Sequence, residues 1–210
     1  MAIFIHPTAV VETNDIGDGT SIGPFCYVGE RVKIGRNCKF VAHCSLGGLP
    51  QYKVLPELDE EGLIIVGNNV EIREFVTINL PTKKLTYIGD NSYLMAHVHV
   101  PHDAYLSHDS FLVVGTTLGG FTRVGKFCYL GMKCTTHQLA KLGDFCLIGA
   151  NTFFKGESPP GIVWVGIPAR PLRLNTVGLD RFATQQEREK IICESTQFIH
   201  EYNNSDDPLR

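Results

Sequence analysis

The chain has 210 residues, of which 43% are apolar, and a formal net charge of -3. This apolar content is enough for a substantial core, and the slight acidic excess argues against a nucleic-acid-binding protein, which needs a basic surface. No stretch approaches the roughly 18 apolar residues of a membrane span. Because the N-terminus also lacks the basic and apolar regions of a signal peptide, we expect a cytoplasmic protein.

The seven cysteines are odd in number and never form a C-x-x-C motif. A disulfide framework or a zinc ribbon is therefore not expected. Several cysteines fall where the repeat described next requires a small residue, so we expect reduced thiols in the core.

A six-residue repeat organises most of the chain. Apolar residues recur at every sixth position, and glycine follows many of them at once, as Gly17, Gly23, Gly29 and Gly35 do. The repeated positions, in three runs, are Phe4, Val10, Ile16, Ile22, Val28, Ile34, Phe40 and Leu46; Val66, Ile72 and Ile78; and Ile88, Leu94, Val100, Leu106, Leu112, Leu118, Val124, Leu130, Thr136, Leu142, Ile148 and Phe154. This period excludes an amphipathic helix and is typical of a parallel β-helix, in which three hexapeptides form one coil of eighteen residues. We expect the repeated residue to point inward, and the following glycine to allow corner conformations that a Cβ would hinder.

Two insertions interrupt the repeat, near residues 48–63 and 79–87. Loops that leave a rigid repeat scaffold often build its binding surface, although a tolerated surface insertion is an equal alternative. The repeat ends near Pro159, which gives a β-helix over 1–165. An extended segment and a C-terminal helix are predicted over 166–210, where Thr184 and Glu187 fit a capping box at the start of the helix.

A histidine cluster lies inside the otherwise structural repeat. Met95 to Asp103 contains three of the eight histidines and a carboxylate. A reactive cluster on a repetitive scaffold indicates a functional site. Because adjacent residues of a straight strand point to opposite faces, a contact between His102 and Asp103 requires a corner or an irregular backbone.

Several motifs together resemble the family of acyl-[acyl-carrier-protein]–UDP-N-acetylglucosamine O-acyltransferases, which start lipid A synthesis. They are the hexapeptide repeats, the stretch 72–78, the stretch 99–103 and the later His137-Gln138 pair. The resemblance covers the β-helix nearly end to end and continues to Gly178. It implies a left-handed β-helix, a homotrimer with active sites between adjacent β-helices, an acyl carrier protein as donor partner and a UDP-amino sugar as acceptor. No permanently bound cofactor or metal is expected.

The resemblance also implies roles for individual residues. His102 is expected to be the general base, Asp103 to orient it, and the backbone N–H of Gly120 to stabilise the oxyanion. Residues expected to contact the donor or the nucleotide-sugar are His99, His137, Gln138, Asn175 and Arg181, with Gln51 and Lys53 in the first insertion. Ala150, with Phe153 beside it, is expected to set the acyl-chain length.

The chain departs from the family at several of these positions. Phe121 stands where the family has another active-site histidine, Val177 replaces an acidic residue and Phe182 replaces an arginine. Ala150 stands where a glycine admits a long chain, so we expect an acyl group shorter than C14. The changes at Phe121, Val177 and Phe182 concern mainly the nucleotide-sugar, so the identity of the acceptor sugar stays open.

Three alternatives remain open at this stage. The first is a nucleotide-sugar N-acyltransferase that uses a CoA thioester on the same scaffold. The second is a zinc enzyme like the γ-carbonic anhydrases, because His97 and His102 resemble half of a three-histidine ligand set. The third is a non-catalytic scaffold that binds a partner through its flat faces.

Overall fold

The computed structural model describes residues 2–204, so the last six residues of the predicted C-terminal segment lie outside the described residues. The chain forms a parallel β-solenoid of about nine turns, followed by two helices. This confirms the predicted fold class, a parallel β-helix with a short C-terminal α-helical segment. No helix in the described part of the chain is long and apolar enough to cross a membrane.

The strands are short and stack in register on three faces. Face A contains β1 (Phe4–Ile5), β3 (Ser21–Ile22), β6 (Lys39–Phe40), β9 (Glu71–Ile72), β12 (Tyr93–Leu94), β15 (Phe111–Leu112), β17 (Tyr129–Leu130), β20 (Leu147–Ile148), β23 (Ile162–Val165) and β24 (Arg170–Leu174). Face B contains β2 (Val10–Val11), β4 (Tyr27–Val28), β7 (Ser45–Gly48), β10 (Thr77–Asn79), β13 (His99–Val100), β18 (Thr135–Thr136) and β21 (Phe153–Phe154). Face C contains β5 (Val32–Ile34), β8 (Leu63–Val66), β11 (Leu85–Ile88), β14 (Tyr105–Leu106), β16 (Arg123–Val124), β19 (Lys141–Leu142) and β22 (Glu157–Ser158).

The inward residues of the repeat form one continuous core. From Ile22 to Phe154 every repeated apolar position is buried, and complete burial of such a side chain contributes about 1.5–3 kcal/mol. Thr136 is the polar exception. Its hydroxyl lies 2.9 Å from the Thr122 hydroxyl and accepts the Gly119 N–H, so the buried oxygen is satisfied. In the first coil, Phe4 and Val10 stay exposed because they have neighbours on one side only.

The glycines of the repeat are explained by close packing between coils and not, as predicted, by the backbone conformation of the corners. Among those that follow a repeated residue, only Gly47 has a positive φ; the left-handed corner residue comes three positions after the repeated residue and is usually not glycine. The repeat glycines are required by close packing instead. A Cβ on Gly35 would lie 2.6 Å from the backbone carbonyl carbon of Gly67 in the next coil.

The left-handed residues define three edges of the prism. The A/B edge runs through Phe25, His43, Phe75 and His97; the B/C edge through Asp103, Phe121 and Leu139; and the C/A edge through Asn37, Asn69, Asn91, Asp109, Phe127 and Phe145. Side-chain amides bond along the C/A edge from Asn69 to Asn91 and from Asn91 to Asp109, at 3.0 and 3.1 Å. Each edge therefore carries a column of side chains eighteen residues apart, a spacing that rises to 32 across the first insertion and 22 across the second.

The C-terminal segment contains one helix more than predicted. The predicted capping box is confirmed, because the Thr184 N–H and hydroxyl both donate to Glu187 at the start of α2 (Gln185–Asn204). Before it, α1 (Thr176–Phe182) is capped by Asn175, whose side chain accepts the Gly178 N–H. Helix α1 was not predicted, because the segment is short and has no apolar stripe at helical spacing.

Candidate active site

His102 and Asp103 form a buried pair at the B/C edge. The His102 Nδ1 atom lies 2.9 Å from Asp103 Oδ2, and both residues are almost inaccessible. Asp103 has a φ of 59°, so the corner places neighbouring side chains on one side, as this contact requires. A carboxylate only accepts hydrogen bonds. Neutral His102 therefore carries its hydrogen on Nδ1 and a lone pair on Nε2.

Asp103 is held by the second insertion. Its Oδ2 atom accepts the Thr82 N–H at 2.8 Å and the Thr82 hydroxyl at 2.7 Å, and its Oδ1 atom accepts the Lys83 N–H at 2.9 Å. Burial acts to raise the pKa of Asp103, but the hydrogen bonds from Thr82, His102 and Lys83 outweigh it and lower the pKa. The carboxylate therefore stays ionised and fixed beside the imidazole.

The Nε2 side of His102 faces Gly120 in the next coil. A Cβ on Gly120 would lie 2.6 Å from both His102 Cε1 and Nε2, so no other residue fits here without moving the imidazole. Within residues 2–204 the Gly120 N–H has no hydrogen-bond acceptor. At the same corner position elsewhere, the N–H groups of Asn68 and Lys126 bind the carboxylates of Asp90 and Asp144. The structure thus places an uncommitted N–H donor beside a basic nitrogen.

Two aromatic rings enclose the imidazole. Tyr52, from the first insertion, lies 5.0 Å from the His102 ring between centroids, and Phe121 meets it edge-on at 5.3 Å. Both insertions therefore reach the site, one through Tyr52 and the other through Thr82. Gln51 and Lys53 flank Tyr52 in the first loop and are exposed.

The other predicted histidines lie near the same edge. His99, on β13 and half-buried, has its Nδ1 atom 2.7 Å from the Thr77 hydroxyl, and burial followed by the charge of His102 lowers its pKa. Gln138 occupies the column of His102 and Gly120, one coil further on. His137 beside it is exposed, and its Nδ1 atom donates to the Gln138 carbonyl at 3.1 Å.

The predicted C-terminal contacts lie on a different edge. Asn175 and Arg181 line a cavity of about 280 Å³ at the C/A edge, together with Val177 and Phe182. The Asn175 side chain is buried and committed within the protein, because it caps α1 and donates to the Phe145 carbonyl at 2.8 Å. Face C separates this cavity from His102, so one protomer does not bring Asn175 and Arg181 to the imidazole.

The two residues predicted to set the chain length also occupy different places. Phe153 lies on face B in line with His99, because His99, Thr117, Thr135 and Phe153 pair in register over four successive coils. At the roughly 4.8 Å spacing of neighbouring strands, Phe153 is about 14 Å from His99 along the axis. Ala150 is exposed and precedes a left-handed residue of the A/B edge.

Sequence reasoning did not single out Tyr52, Thr77 or Thr82 as site residues. Tyr52 lies between Gln51 and Lys53, which were singled out, and Thr82 lies inside the predicted second insertion. Neither position carries a signal that would tell an orienting group from an ordinary loop residue.

His97 lies on the A/B edge and stacks on Phe75 at 5.0 Å between ring centroids. His97 and His102 therefore occupy separate edges, so a single protomer does not bring the two histidines to one metal ion. Within residues 2–204 no three histidine, cysteine or acidic side chains converge on a point that would suit a metal ion.

The bacterial transferase hexapeptide family (six repeats) matches residues 15–48. Among curated relatives, an acyl-[acyl-carrier-protein]–UDP-N-acetylglucosamine O-acyltransferase of Stenotrophomonas maltophilia is 31% identical over 88% of this chain and 78% of its own length. One from a Sulfurovum species is 34% identical over 87% and 78%.

Two solved structures of UDP-N-acetylglucosamine acyltransferases share the fold of this chain. The UDP-N-acetylglucosamine acyltransferase of Campylobacter jejuni superposes with a TM-score of 0.78 at 27% identity and covers 96% of this chain and 86% of its own. The enzyme of Bacteroides fragilis gives 0.75 at 27% identity, over 98% and 84%. On the sequence matches and the shared β-helix, the chain belongs to the acyl-[acyl-carrier-protein]–UDP-N-acetylglucosamine O-acyltransferase family and is an acyltransferase.

Proposed function

We propose that the protein transfers an acyl group from an acyl-carrier-protein thioester to a hydroxyl of a UDP-amino sugar. The observation that carries this proposal is the arrangement of His102, Asp103 and Gly120. A carboxylate-bound imidazole has its free nitrogen beside Gly120, whose backbone N–H has no acceptor among the described residues. The donor and acceptor classes come from the named relatives.

The reaction proceeds through one base and one oxyanion donor. His102 Nε2 removes the proton of the acceptor hydroxyl as its oxygen attacks the thioester carbonyl carbon, a role worth about 10²–10⁴-fold in rate. Asp103 stabilises the imidazolium that forms. The Gly120 N–H binds the negative oxygen of the tetrahedral intermediate, which is worth about 3–4 kcal/mol. The intermediate then expels the thiolate, which takes the proton from His102, so the reaction needs no permanently bound cofactor.

The neighbouring polar groups are assigned to substrate positioning. Because its pKa is lowered, His99 is held neutral near neutral pH and offers a neutral ring beside the charge that develops on His102. His137 and Gln138 lie one coil beyond Gly120 and are exposed to a ligand. Gln51 and Lys53 extend from the loop that places Tyr52 on His102, so they stand at the entrance to the site.

We also propose that the active unit is a homotrimer. His102 lies on the B/C edge, whereas Asn175 and Arg181 lie on the C/A edge of the same protomer. A second β-helix packed alongside would bring its C/A edge toward the first protomer's B/C edge and complete one site from two subunits. Mixed assemblies of inactive His102→Ala and inactive Arg181→Ala chains should then recover activity, whereas separate chains should not.

The acyl chain is proposed to be shorter than C14. The row of His99, Thr117 and Thr135 offers a track along face B, and Phe153 stands at its far end. The methyl group of Ala150 narrows the neighbouring corner further. Kinetics over a series of acyl-carrier-protein donors should peak below C14, and Ala150→Gly should shift the peak to a longer chain. A wild-type preference for C14 would contradict this assignment.

One alternative has structural support. Phe182 stacks on Phe127 at 5.1 Å in the C/A cavity, where the resemblance implies an arginine. This changed wall is consistent with a different nucleotide-sugar, including an amine acceptor used with a CoA thioester. The same base would remove the proton from the attacking nitrogen.

The deciding experiment offers purified protein labelled acyl-carrier-protein donors with UDP-N-acetylglucosamine, and acetyl-CoA with UDP- and dTDP-linked 4-amino sugars. Labelled O-acyl product from the first combination supports the main proposal. N-acyl product from the second combination alone would replace the main proposal with the alternative.

For the compartment we propose the cytoplasm, since the seven cysteines are all free thiols and six are buried.

A further inference from the structure

A groove of about 640 Å³ opens next to the catalytic pair, on the outer side of face C. Asp103 and Phe121 form its wall toward the B/C edge, and Tyr105 and Arg123 line it from β14 and β16. The second insertion supplies Lys83 and Lys84. None of the three basic residues has a part in the acyl-transfer steps above.

The groove has an excess of positive charge. Lys83, Lys84 and Arg123 are exposed, and none forms an ion pair with any residue between positions 2 and 204. The Arg123 guanidinium lies over the Tyr105 ring at 5.4 Å, which fixes its position without neutralising it.

The single carboxylate in the lining, Asp103, offsets only part of the charge of three cations and forms an ion pair with none of them. Asp103 directs both oxygens to other donors: Oδ2 to the Thr82 N–H, the Thr82 hydroxyl and His102, and Oδ1 to the Lys83 N–H. These bonds also fix the backbone of the lysine loop against the catalytic pair. The backbone that carries Lys83 and Lys84 is therefore anchored beside His102.

Other basic residues on the same face are paired. Arg123 is in register with Lys141 one coil further on, and Lys141 binds Glu157 at 2.6 Å. At the opposite end of the face, Lys33 lies 3.4 Å from Asp15. Of Lys33, Arg123 and Lys141 on the described strands of face C, the cation without an ion-pair partner is therefore the one beside the candidate site.

We propose that Lys83, Lys84 and Arg123 form a binding site for a phosphate ester or diphosphate group of a substrate. This site rests on the proposed function, because its purpose is to hold an anionic substrate while the reacting group lies at His102. Two substrates carry this chemistry: the nucleotide-sugar through its diphosphate, and the donor through the phosphate of its pantetheine arm. Charge-assisted hydrogen bonds to phosphate oxygens are among the stronger contacts available to such side chains.

The first arm of the test does not depend on catalysis. Inorganic pyrophosphate is titrated calorimetrically into wild-type protein, into Lys84→Gln/Arg123→Gln, and into the control Lys141→Gln, at low and at high salt. We expect wild type and control to bind alike, the double variant to bind at least about tenfold more weakly, and added salt to weaken binding. Equal binding by all three proteins, no binding by wild type, or an equal loss in the control would overturn the proposal.

The second arm identifies the source of the anion. If the diphosphate of the nucleotide-sugar occupies the groove, the double variant should raise the KM for that substrate about tenfold with kcat nearly unchanged; if the donor phosphate does, the KM for the donor should rise instead. Unchanged KM values for both substrates would overturn the proposal. Failure of acyl transfer with every donor would sink the proposed function but leave the pyrophosphate result standing.

Discussion

Two His-Asp dipeptides lie one corner apart on the same coil, His102-Asp103 at the B/C edge and His108-Asp109 at the C/A edge. In both the aspartate has a left-handed backbone and the histidine Nδ1 atom contacts the carboxylate, at 2.9 and 2.6 Å. Their exposure differs: the side chains of the first pair are 8% and 4% accessible, and those of the second 49% and 30%.

The surroundings explain this difference. The two insertions cover the first pair, whereas the C/A edge has no insertion beside His108. In the next coil, His102 meets Gly120, whose N–H is uncommitted among the described residues, but His108 meets Lys126, whose N–H already binds Asp144. A histidine-aspartate contact is therefore common to both corners, and the exclusion of water and the open donor distinguish the candidate site.

The largest expected effect separates the two histidines. His102→Ala should lower kcat/KM by about 10²–10⁴-fold, because the proposed base is lost, and His108→Ala should leave activity within about twofold. Steady-state kinetics on both variants, with circular dichroism to confirm folding, make the comparison. Full activity in His102→Ala would favour a non-catalytic scaffold.

The second effect concerns Gly120, which lies one coil beyond His102. Gly120→Ala should reduce kcat by about 10²–10³-fold, because the new methyl group would displace His102 and crowd the proposed oxyanion donor. The matched change Gly48→Ala meets its nearest neighbour, Asn79 Nδ2, at an ordinary 3.4 Å and should be nearly neutral. Equal kcat in both variants would show that Gly120 has no special place in the reaction.

The third effect is on stability and its pH dependence. Asp103→Asn should lower the free energy of unfolding by about 1–3 kcal/mol at neutral pH, because a buried acceptor of charge-assisted hydrogen bonds is weakened. Since folding lowers the pKa of Asp103, this contribution is complete above the usual aspartate range near pH 3.9 and is lost as the pH falls through the lowered pKa.

Urea denaturation of wild type and Asp103→Asn between pH 3 and 7 tests this sign, with Asp109→Asn as the control at the exposed pair. The two curves should converge only in acid. A stability difference that grows as the pH falls would contradict the assignment.

The smallest expected effect concerns Tyr52, whose ring covers His102, the proposed base. Tyr52→Ala should lower kcat/KM about 2–10-fold, because an aromatic contact is worth about 0.5–1.5 kcal/mol beyond its buried area. Phe25→Ala removes a ring that stacks on His43 at 5.0 Å on the A/B edge, away from the proposed sites, and should leave kcat/KM unchanged. An equal loss in both variants would point to a general effect on folding.

The fold was predictable because the six-residue period reports directly which side chains point inward. His102 and Gly120 were predictable as neighbours for the same reason, since eighteen residues return the chain to the same edge. The contacts of the insertions were not: Tyr52 and Thr82 leave the period, so nothing local shows where their side chains end. The cap role of Asn175 was hidden for a similar reason, because its partner Phe145 is thirty residues away.

Position along a stack of coils comes in fixed increments of about 4.8 Å. On face B each increment exchanges one outward residue for the one beneath it, as Thr117, Thr135 and Phe153 succeed one another. A chain-length limit set on this surface therefore changes in steps. Thr135→Phe would bring the end of the track one coil nearer to His99, and Phe153→Thr would move it at least one coil away. With the proposed acyl track on face B, chain-length selectivity would change one coil at a time rather than continuously.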